Sequence, residues 1–234
     1  MHILIVHAHH EPTSFNAAMT ERAVAVLTDA GHQVIVSDLY AMGFDPVSDR
    51  RNFDSVANPD RLDQQAEEKW ASAQQGFTAD LQAEINKLRR ADLVIFQFPI
   101  WWMAMPAIMK GWIDRVFALG VAYGGGRWFD RGVLAGKKAM LSVTMGGGPG
   151  AYSADGVYGS AESVFHPIHR GILGFVGFDV IEPFIVYGPG RMSDDQRTQA
   201  LADYAARLTD IDAIPVLPQL QADAFENFVR KRQA

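Results

Sequence analysis

Apolar runs alternate with helix-like patterns along most of this chain. Short runs rich in β-branched and aromatic residues predict five strands, at His2–Val6, Val34–Val36, Leu93–Phe98, Lys138–Thr144 and Val180–Ile185. Apolar residues at helical spacing predict helices at Asn16–Ala30, Pro106–Phe117, Pro167–Phe175 and Ser193–Leu208. Such alternation indicates an α/β fold, with a mostly parallel sheet covered by helices on both faces. Five strands are typical of a flavodoxin-like doubly wound sheet, in which ligands bind at the carboxyl ends of the strands.

Local signals support two of these helix ends. Gly31 follows the first helix, where a glycine commonly ends a helix. Ser193 and Gln196 have the spacing of a capping box and predict the start of the last helix.

Two regions depart from a minimal α/β pattern. Residues 41–90 form a polar insertion, with a helical part from about Asp60 to Arg90 that is interrupted near Gly76. The segment Gly120–Gly136 is rich in glycine and aromatic residues and is expected to be irregular. We expect one domain over residues 1–210 and a short C-terminal tail over residues 211–234, with a possible helix at Gln221–Arg230.

Composition narrows the classes of partner. The chain has 234 residues and a net charge of −6, which argues against nucleic acid or an anionic membrane as a general partner. It has no cysteine, which excludes disulfides, thiolate nucleophiles and cysteine-ligated metals. The N-terminus enters a strand-like run without a basic leader, and no apolar run reaches the roughly 20 residues that cross a bilayer. We therefore expect a cytoplasmic protein without stable membrane insertion.

The loop after the first strand offers short polar side chains at a helix start. Thr13, Ser14 and Asn16 lie beside the unpaired N–H groups of the first helix, an arrangement that can bind phosphate. Plain N-capping is the alternative. No G-x-G-x-x-G or Walker motif is present. Three histidines stand nearby without a carboxylate–histidine pattern at ligand spacing, so no metal site is expected.

Two further loops carry complementary chemistry. Trp101 and Trp102 stand on a short apolar loop between Pro99 and Pro106, which predicts either a wall for a planar aromatic ligand or a plug for a core or subunit interface. The loop Thr144–Tyr152 is rich in glycine and can present backbone N–H groups to a ligand. These loops follow the first, third and fourth strands, whose carboxyl ends share one crevice in this topology. Phosphate donors, a flat apolar wall and backbone amides together are what a flavin requires.

Several stretches resemble one family. They are AHHEPTSFN, SDLYAMGFDP, ADLVIFQFPIWWMAMPAIMKGWIDRVF, KKAMLSVTMGGGPGAYSADGVYG and GILGFVGFDVIEP. The chain resembles the NAD(P)H:quinone oxidoreductases of DT-diaphorase type, including their bacterial relatives known as modulators of drug activity B, over about Ile3 to Leu208. The resemblance implies a flavodoxin-like FAD-binding domain and a homodimer with sites between subunits. It further implies ping-pong, two-electron reduction of quinones or related aromatic acceptors by NADPH or NADH. FAD over FMN rests on the resemblance alone.

The resemblance also assigns expected roles to residues. The positions of the FAD pyrophosphate and ribityl region are His9, Thr13, Ser14, Phe15 and Asn16. The isoalloxazine loop corresponds to Pro99, Ile100, Trp101, Trp102 and Met103. The loop at the flavin's pyrimidine edge corresponds to Thr144, Met145, Gly146, Gly147 and Tyr152. Arg197 matches an arginine near the adenosine end, and the aromatic residues of the nicotinamide and quinone pocket, expected across the dimer interface, are Tyr123 and Phe175.

The chain departs from the mammalian members at the substrate pocket. Tyr158 stands where they have a histidine, Gly125 where they have a second tyrosine, and Trp101 where they have a glutamine. Tyr152 and Tyr158 are the candidate catalytic donors; a tyrosine hydroxyl can donate a hydrogen bond but cannot become cationic. Arg191 aligns with a pocket residue and is a hint of further phosphate or substrate recognition. The rival hypothesis is a flavodoxin-like electron carrier, or a regulatory ancillary subunit of a transporter.

Overall fold

A parallel sheet of five strands forms the centre of the computed structural model, which describes residues 1–231. The strands are β1 (His2–His7), β2 (Gln33–Asp38), β3 (Leu93–Pro99), β4 (Lys138–Met145) and β5 (Asp179–Tyr187). Their order in the sheet is β2-β1-β3-β4-β5, and every pair is parallel. The predicted doubly wound α/β fold and all five predicted strands are confirmed.

Helices cover both faces of this sheet, as predicted. They are α1 (Phe15–Asp29), α2 (Gln64–Gln74), α3 (Ala79–Arg90), α4 (Ala107–Val116), α5 (Ala161–Ile168) and α6 (Asp194–Thr209). Side chains of a strand point alternately to the two faces. Accordingly, Ile3 and Ile5 of β1 belong to the core beneath α1 and α6, whereas Leu4 and Val6 belong to the core beneath α3, α4 and α5.

The predicted helix ends of α1 and α6 are confirmed. Gly31 has φ of +85°, a backbone conformation that favours glycine after a helix. The Ser193 side chain accepts a hydrogen bond from the Gln196 N–H, and the Gln196 side chain accepts one from the Ser193 N–H. The capping box therefore satisfies two backbone N–H groups at the start of α6.

The insertion contains the two helices expected from the interrupted pattern. Gln75 adopts a left-handed conformation between α2 and α3, next to Gly76. Arg115 of α4, only 4% exposed, anchors the insertion by donating to Asn52 Oδ1 at 2.7 Å and to the Asp45 carbonyl at 2.8 Å. The insertion is thus fastened to the central fold by a buried cation.

The helix predicted at Pro167–Phe175 begins earlier than expected. Ser160 caps α5 by accepting a hydrogen bond from the Ser163 N–H, and Pro167 lies inside the helix rather than at its start. Proline lacks an N–H and cannot continue the α-helical bonding pattern. From His169 to Gly174 the chain continues as a π-helix, so the prediction had the right element with the wrong start and the wrong helix type.

The predicted helix at Gln221–Arg230 is wrong. A short 3-10 turn is followed by an antiparallel hairpin of β6 (Phe225–Glu226) and β7 (Val229–Arg230). The ring of Trp128 lies 5.8 Å from that of Phe225 and 5.3 Å from that of Phe228, so long-range aromatic packing holds the hairpin. The last residues of the predicted tail, 232–234, lie outside the described residues.

The tail also covers an edge of the sheet. Val216 pairs with Ile181 of β5, and the Leu217 N–H donates to the Val180 carbonyl at 2.7 Å. An edge strand left open would expose unpaired backbone groups.

Among residues 1–231, no helix combines the length and the apolar character that crossing a bilayer requires.

Candidate functional site

A cavity of about 540 Å³ lies where the loops after β1, β3, β4 and β5 meet. The residues that line it and that the sequence had suggested are His9, Ser14, Phe15, Asn16, Pro99, Ile100, Trp101, Thr144, Met145, Gly146 and Arg197. Parallel strands place their carboxyl ends on one edge, which brings together residues far apart in the chain. The structure therefore joins the three predicted loops in one site.

The N-terminus of α1 forms one wall of this cavity. Ser14 caps the helix, its hydroxyl accepting a hydrogen bond from the Ala17 N–H at 3.2 Å. Thr13 instead donates its hydroxyl to the Glu11 carboxylate at 2.7 Å, and its N–H donates to the same oxygen at 2.9 Å. These bonds lower the pKa of Glu11. Thr13 thus supports the turn, while Ser14 and the residues after it face the cavity.

A buried chain of polar side chains forms the floor, in which Asn16 and Thr144 line the cavity and Gln97 bonds to Asn16. The Gln97 amide of β3 donates to Asn16 Oδ1 at 2.9 Å, and the Asn16 amide donates to Thr144 Oγ1 at 3.0 Å. All three residues are at most 5% exposed. Among residues 1–231, Gln97 Oε1 has no hydrogen-bond partner. Gln97 was not predicted as a site residue, although a glutamine inside the apolar run LVIFQFP was the signal that could have identified it.

The histidines near the cavity have separate roles. His7 is buried, with Nδ1 2.8 Å from the Thr20 hydroxyl, and burial lowers its pKa, so that it is neutral at pH 7. His9 and His10 stack with their rings 4.7 Å apart. His9 Nδ1 accepts a hydrogen bond from the Glu11 N–H at 3.0 Å, and partial burial together with His10 lowers the pKa of His9. Of these, His9 lines the cavity.

The tryptophan loop is a tight, strained turn. Trp101 and Ala104 exchange two backbone hydrogen bonds of 3.0 Å, and between them Trp102 and Met103 have φ of +51° and +59°. A side chain in this left-handed region costs roughly 1–3 kcal/mol, and such strain is concentrated at functional sites. Trp101 lines the cavity, whereas Trp102 is 99% exposed and is not among the lining residues.

The glycine loop packs tightly around Tyr152. A Cβ atom on Gly147 would lie 2.9 Å from Tyr152 Cε2, so only glycine fits there without displacing the ring. Tyr152 is buried, with its ring 5.1 Å from that of Tyr158 and 5.9 Å from that of Tyr187. Within the described chain the candidate catalytic pair, Tyr152 and Tyr158, is therefore one aromatic cluster beside the cavity and outside its lining.

The loop after β5 completes the cavity, and of its lining residues the sequence had suggested only Arg191. Its lining residues are Gly188, Pro189, Gly190 and Arg191. The Arg191 guanidinium donates to the Gly146 carbonyl and so ties this loop to the glycine loop. Arg197 donates to the Met192 carbonyl at 2.6 Å and pairs with Asp194. Two arginines and a helix N-terminus thus face one cavity in a chain of net charge −6.

Comparison with known proteins agrees with this geometry. A family model described as a flavodoxin-like fold matches residues 1–209. NAD(P)H dehydrogenase [quinone] 1 of Cavia porcellus is 44% identical over 209 residues, which cover 89% of this chain and 76% of that protein. Ribosyldihydronicotinamide dehydrogenase [quinone] of Mus musculus is 42% identical over 210 residues, covering 89% and 91%. The chain belongs to this family of quinone oxidoreductases with a flavodoxin-like fold. The resemblance inferred from the sequence motifs is confirmed.

A solved structure also matches. A Klebsiella pneumoniae protein, crystallised as a candidate quinone reductase, superposes with a TM-score of 0.89 at 40% identity, covering 93% of this chain and 87% of that one. The fold that positions the cavity is therefore shared over nearly the whole chain.

The two residues that the resemblance predicts for the substrate pocket, Tyr123 and Phe175, are not among the lining residues of the cavity. Tyr123 follows α4, and Phe175 follows the π-helix after α5, so both come where the chain has returned to the amino ends of the strands. Phe175 packs edge-on against Phe129, with the ring centres 6.0 Å apart. Within one protomer, neither residue reaches the cavity.

Proposed function

We propose that this chain is a FAD-dependent enzyme that reduces quinones by two electrons, using NADPH or NADH. The observation that carries the proposal is the convergence of an apolar wall, a helix N-terminus with two arginines, and a glycine loop on one cavity of about 540 Å³. The relatives from Cavia porcellus and Mus musculus are named as quinone dehydrogenases, which supports the same reaction class here.

The residues present fit a flavin nucleotide. The start of α1, with Arg197 close by, supplies donors for an anionic phosphate group. Pro99, Ile100 and Trp101 supply a flat apolar surface for a ring system. A Cβ atom built on Gly146 meets no atom within 4 Å, so this side of the glycine loop has open space for a ligand.

The residues around the cavity would bind, orient and stabilise charge. A bound flavin would supply the redox chemistry, the transfer of a hydride equivalent from NAD(P)H to a quinone. The wall of Ile100 and Trp101 would orient the ring for face-on approach. Backbone N–H groups of the glycine loop, with the hydroxyls of Tyr152 and Tyr158, would donate toward negative charge at the ring's pyrimidine edge. Losing one such preorganised donor typically costs about 3 kcal/mol, or 100-fold or more in rate.

We further propose a homodimer in which the partner completes the substrate pocket. Trp102 at one end of the protomer is fully exposed, and the family's pocket aromatics, Tyr123 and Phe175, lie at the other end. A second copy packed in the opposite direction would bring both ends together, and it would cover apolar area that is otherwise in water. One pocket used in turn by the nicotinamide and the quinone gives ping-pong kinetics.

An anaerobic titration tests the reaction. The yellow holoprotein should lose its visible flavin absorbance on addition of NADPH or NADH and recover it on addition of benzoquinone. A protein whose flavin absorbance does not change with either nucleotide, but which forms a one-electron reduced flavin with dithionite, would be the electron carrier of the rival hypothesis. A protein that takes up no flavin would overturn both the enzyme and the carrier.

The choice of FAD over FMN has its own test. The cofactor released by heat should have the mass of FAD. Arg197→Ala should weaken FAD binding more than FMN binding, because the family position of Arg197 is at the adenosine end. Arg207→Ala is the matched control, since Arg207 lies on the same helix but donates to Glu182, away from the cavity. Equal weakening of both flavins by Arg197→Ala would contradict the assignment.

A further inference from the structure

A buried carboxylate in the insertion contacts the loop that carries Tyr123. Glu68 lies on α2 and is 5% exposed. Its Oε2 accepts a hydrogen bond from the Leu119 N–H at 2.6 Å, and its Oε1 accepts one from the Gln64 amide at 2.9 Å. A buried carboxylate needs such partners, and these hold it in one orientation.

The same carboxylate also reaches the side chain of Tyr123. The Tyr123 hydroxyl donates to Glu68 Oε2 over 3.4 Å and accepts a hydrogen bond from the Gln65 amide at 3.3 Å. Gln65 and Glu68, one helical turn apart on α2, therefore bond to both the acceptor and the donor side of the Tyr123 hydroxyl. Burial, together with the charge of Glu68, raises the pKa of Tyr123, so the hydroxyl remains a donor at neutral pH.

The backbone of this loop is fitted to α2 as well. The Gly120 N–H donates to the Tyr123 carbonyl at 2.8 Å, and Gly120 has φ of +88°. A Cβ atom on Gly120 would lie 2.8 Å from Ser72 Oγ of α2, so the helix and the loop are in close contact. The helix thus meets the loop at the Leu119 amide, at Gly120 and at the Tyr123 hydroxyl.

We propose that Glu68 is a positioning residue that sets where the Tyr123 ring stands in the quinone and nicotinamide pocket. The proposal rests on the proposed function, which places Tyr123 in that pocket, and it gives the insertion a part in substrate recognition. Glu68 touches neither substrate nor flavin; it acts through Tyr123 and the loop backbone.

The test compares two adjacent buried glutamates. Glu68→Gln keeps the size of the side chain but weakens the bonds to Leu119 and Tyr123. Glu67→Gln is the matched control, because Glu67 is equally buried on α2 but accepts from the Ala57 and Asn58 N–H groups instead. We expect Glu68→Gln to raise the KM for benzoquinone about five- to tenfold, the net contribution of about one ordinary hydrogen bond, with the flavin content unchanged. Glu67→Gln should leave KM within twofold of wild type.

Two further variants separate positioning from folding. Gln65→Ala removes an exposed side chain and cannot unfold the protein by exposing a core; it should raise the same KM about two- to threefold. In a Tyr123→Phe background, Glu68→Gln should raise KM by less than it does in wild type, because the hydroxyl that it orients is gone. A purely structural role would lower the melting temperature of both glutamate variants and leave KM unchanged.

The outcomes are distinct. Unchanged benzoquinone KM in both Glu68→Gln and Gln65→Ala, with active wild type, would overturn the positioning role and leave the proposed function standing. Wild-type holoprotein that fails to oxidise NAD(P)H with benzoquinone would overturn the proposed function and the positioning role with it.

Discussion

Thr144→Val is the sharpest perturbation of the cavity floor. Thr144 Oγ1 accepts the Asn16 amide at 3.0 Å, and both residues are at most 5% exposed. Valine has nearly the same shape, so the change removes the acceptor without making a large cavity, and it leaves the Asn16 N–H buried without this partner. Such a group costs about 1–3 kcal/mol, and we take about 2 kcal/mol for this site.

The expected shift follows from the size of the chain. For a protein of this length 1 kcal/mol moves the melting temperature by roughly 2–4 °C, so Thr144→Val should lower it by about 4–8 °C. The assay is thermal unfolding followed by circular dichroism on flavin-free protein, because a bound ligand would add its own stabilisation. Thr198→Val is the control: its exposed hydroxyl donates to the Asp194 carbonyl, and its loss should change the melting temperature by no more than about 2 °C.

A double-mutant cycle isolates the contact. In an Asn16→Ala background the stranded amide no longer exists, so Thr144→Val should then cost less than half of its effect in wild type. A fall of less than about 1 °C in wild type, or an equal fall in both backgrounds, would refute the cost assigned to the buried Asn16 amide.

Three further predictions follow from the same geometry. Trp102→Ala should leave the melting temperature of the flavin-free monomer within about 2 °C, because the side chain is exposed, yet weaken flavin retention measured by fluorescence; unchanged retention and turnover would make Trp102 irrelevant to the site. Gly147→Ala should displace Tyr152 and slow flavin reduction, whereas Gly150→Ala, where a Cβ atom meets nothing within 4 Å, should not; equal rates would contradict the close-packing argument. Burial lowers the pKa of His169 to about 4, so the unfolded chain binds a proton below about pH 6.5 that the folded chain does not bind until about pH 4. The free energy of unfolding is therefore unaffected by this group above pH 6.5 and falls by up to about 3 kcal/mol on acidification to pH 4. Urea unfolding of wild type and His169→Gln at pH 7 and pH 4.5 should show a smaller loss of unfolding free energy in the variant.

Local pattern was sufficient where structure is decided within a few residues. The five apolar runs became the five strands, and the inner strands β1, β3 and β4 are the clearest because burial on both faces demands continuous apolar sequence. Gly31 and the pair Ser193 and Gln196 marked helix ends correctly, since caps are bonds between near neighbours. The same locality explains the error at residues 221–230, where a helix-like stretch became a hairpin through contact with Trp128.

Parts of the candidate site were also visible in the sequence, for a different reason. Once the strand order is known, the loops after β1, β3 and β4 must share one edge, so Ser14, Ile100 and Gly146 could be expected in one cavity. The loop after β5 carries a comparable signal in Gly188-Pro189-Gly190, which brings Arg191 to the same place.

By itself, the sequence determined the fold class, the family and the set of loops at the site, because strand-forming runs, caps and long shared motifs are properties of contiguous residues. Only the tertiary structure decided that Trp102 points into water, that Gln97, Asn16 and Thr144 form one buried chain of hydrogen bonds, and that Glu68 meets Tyr123 across 55 positions of sequence. Those contacts depend on how helices pack back onto the sheet. Packing of this kind is set by the shapes of side chains from several elements at once, and no single stretch of the chain records it.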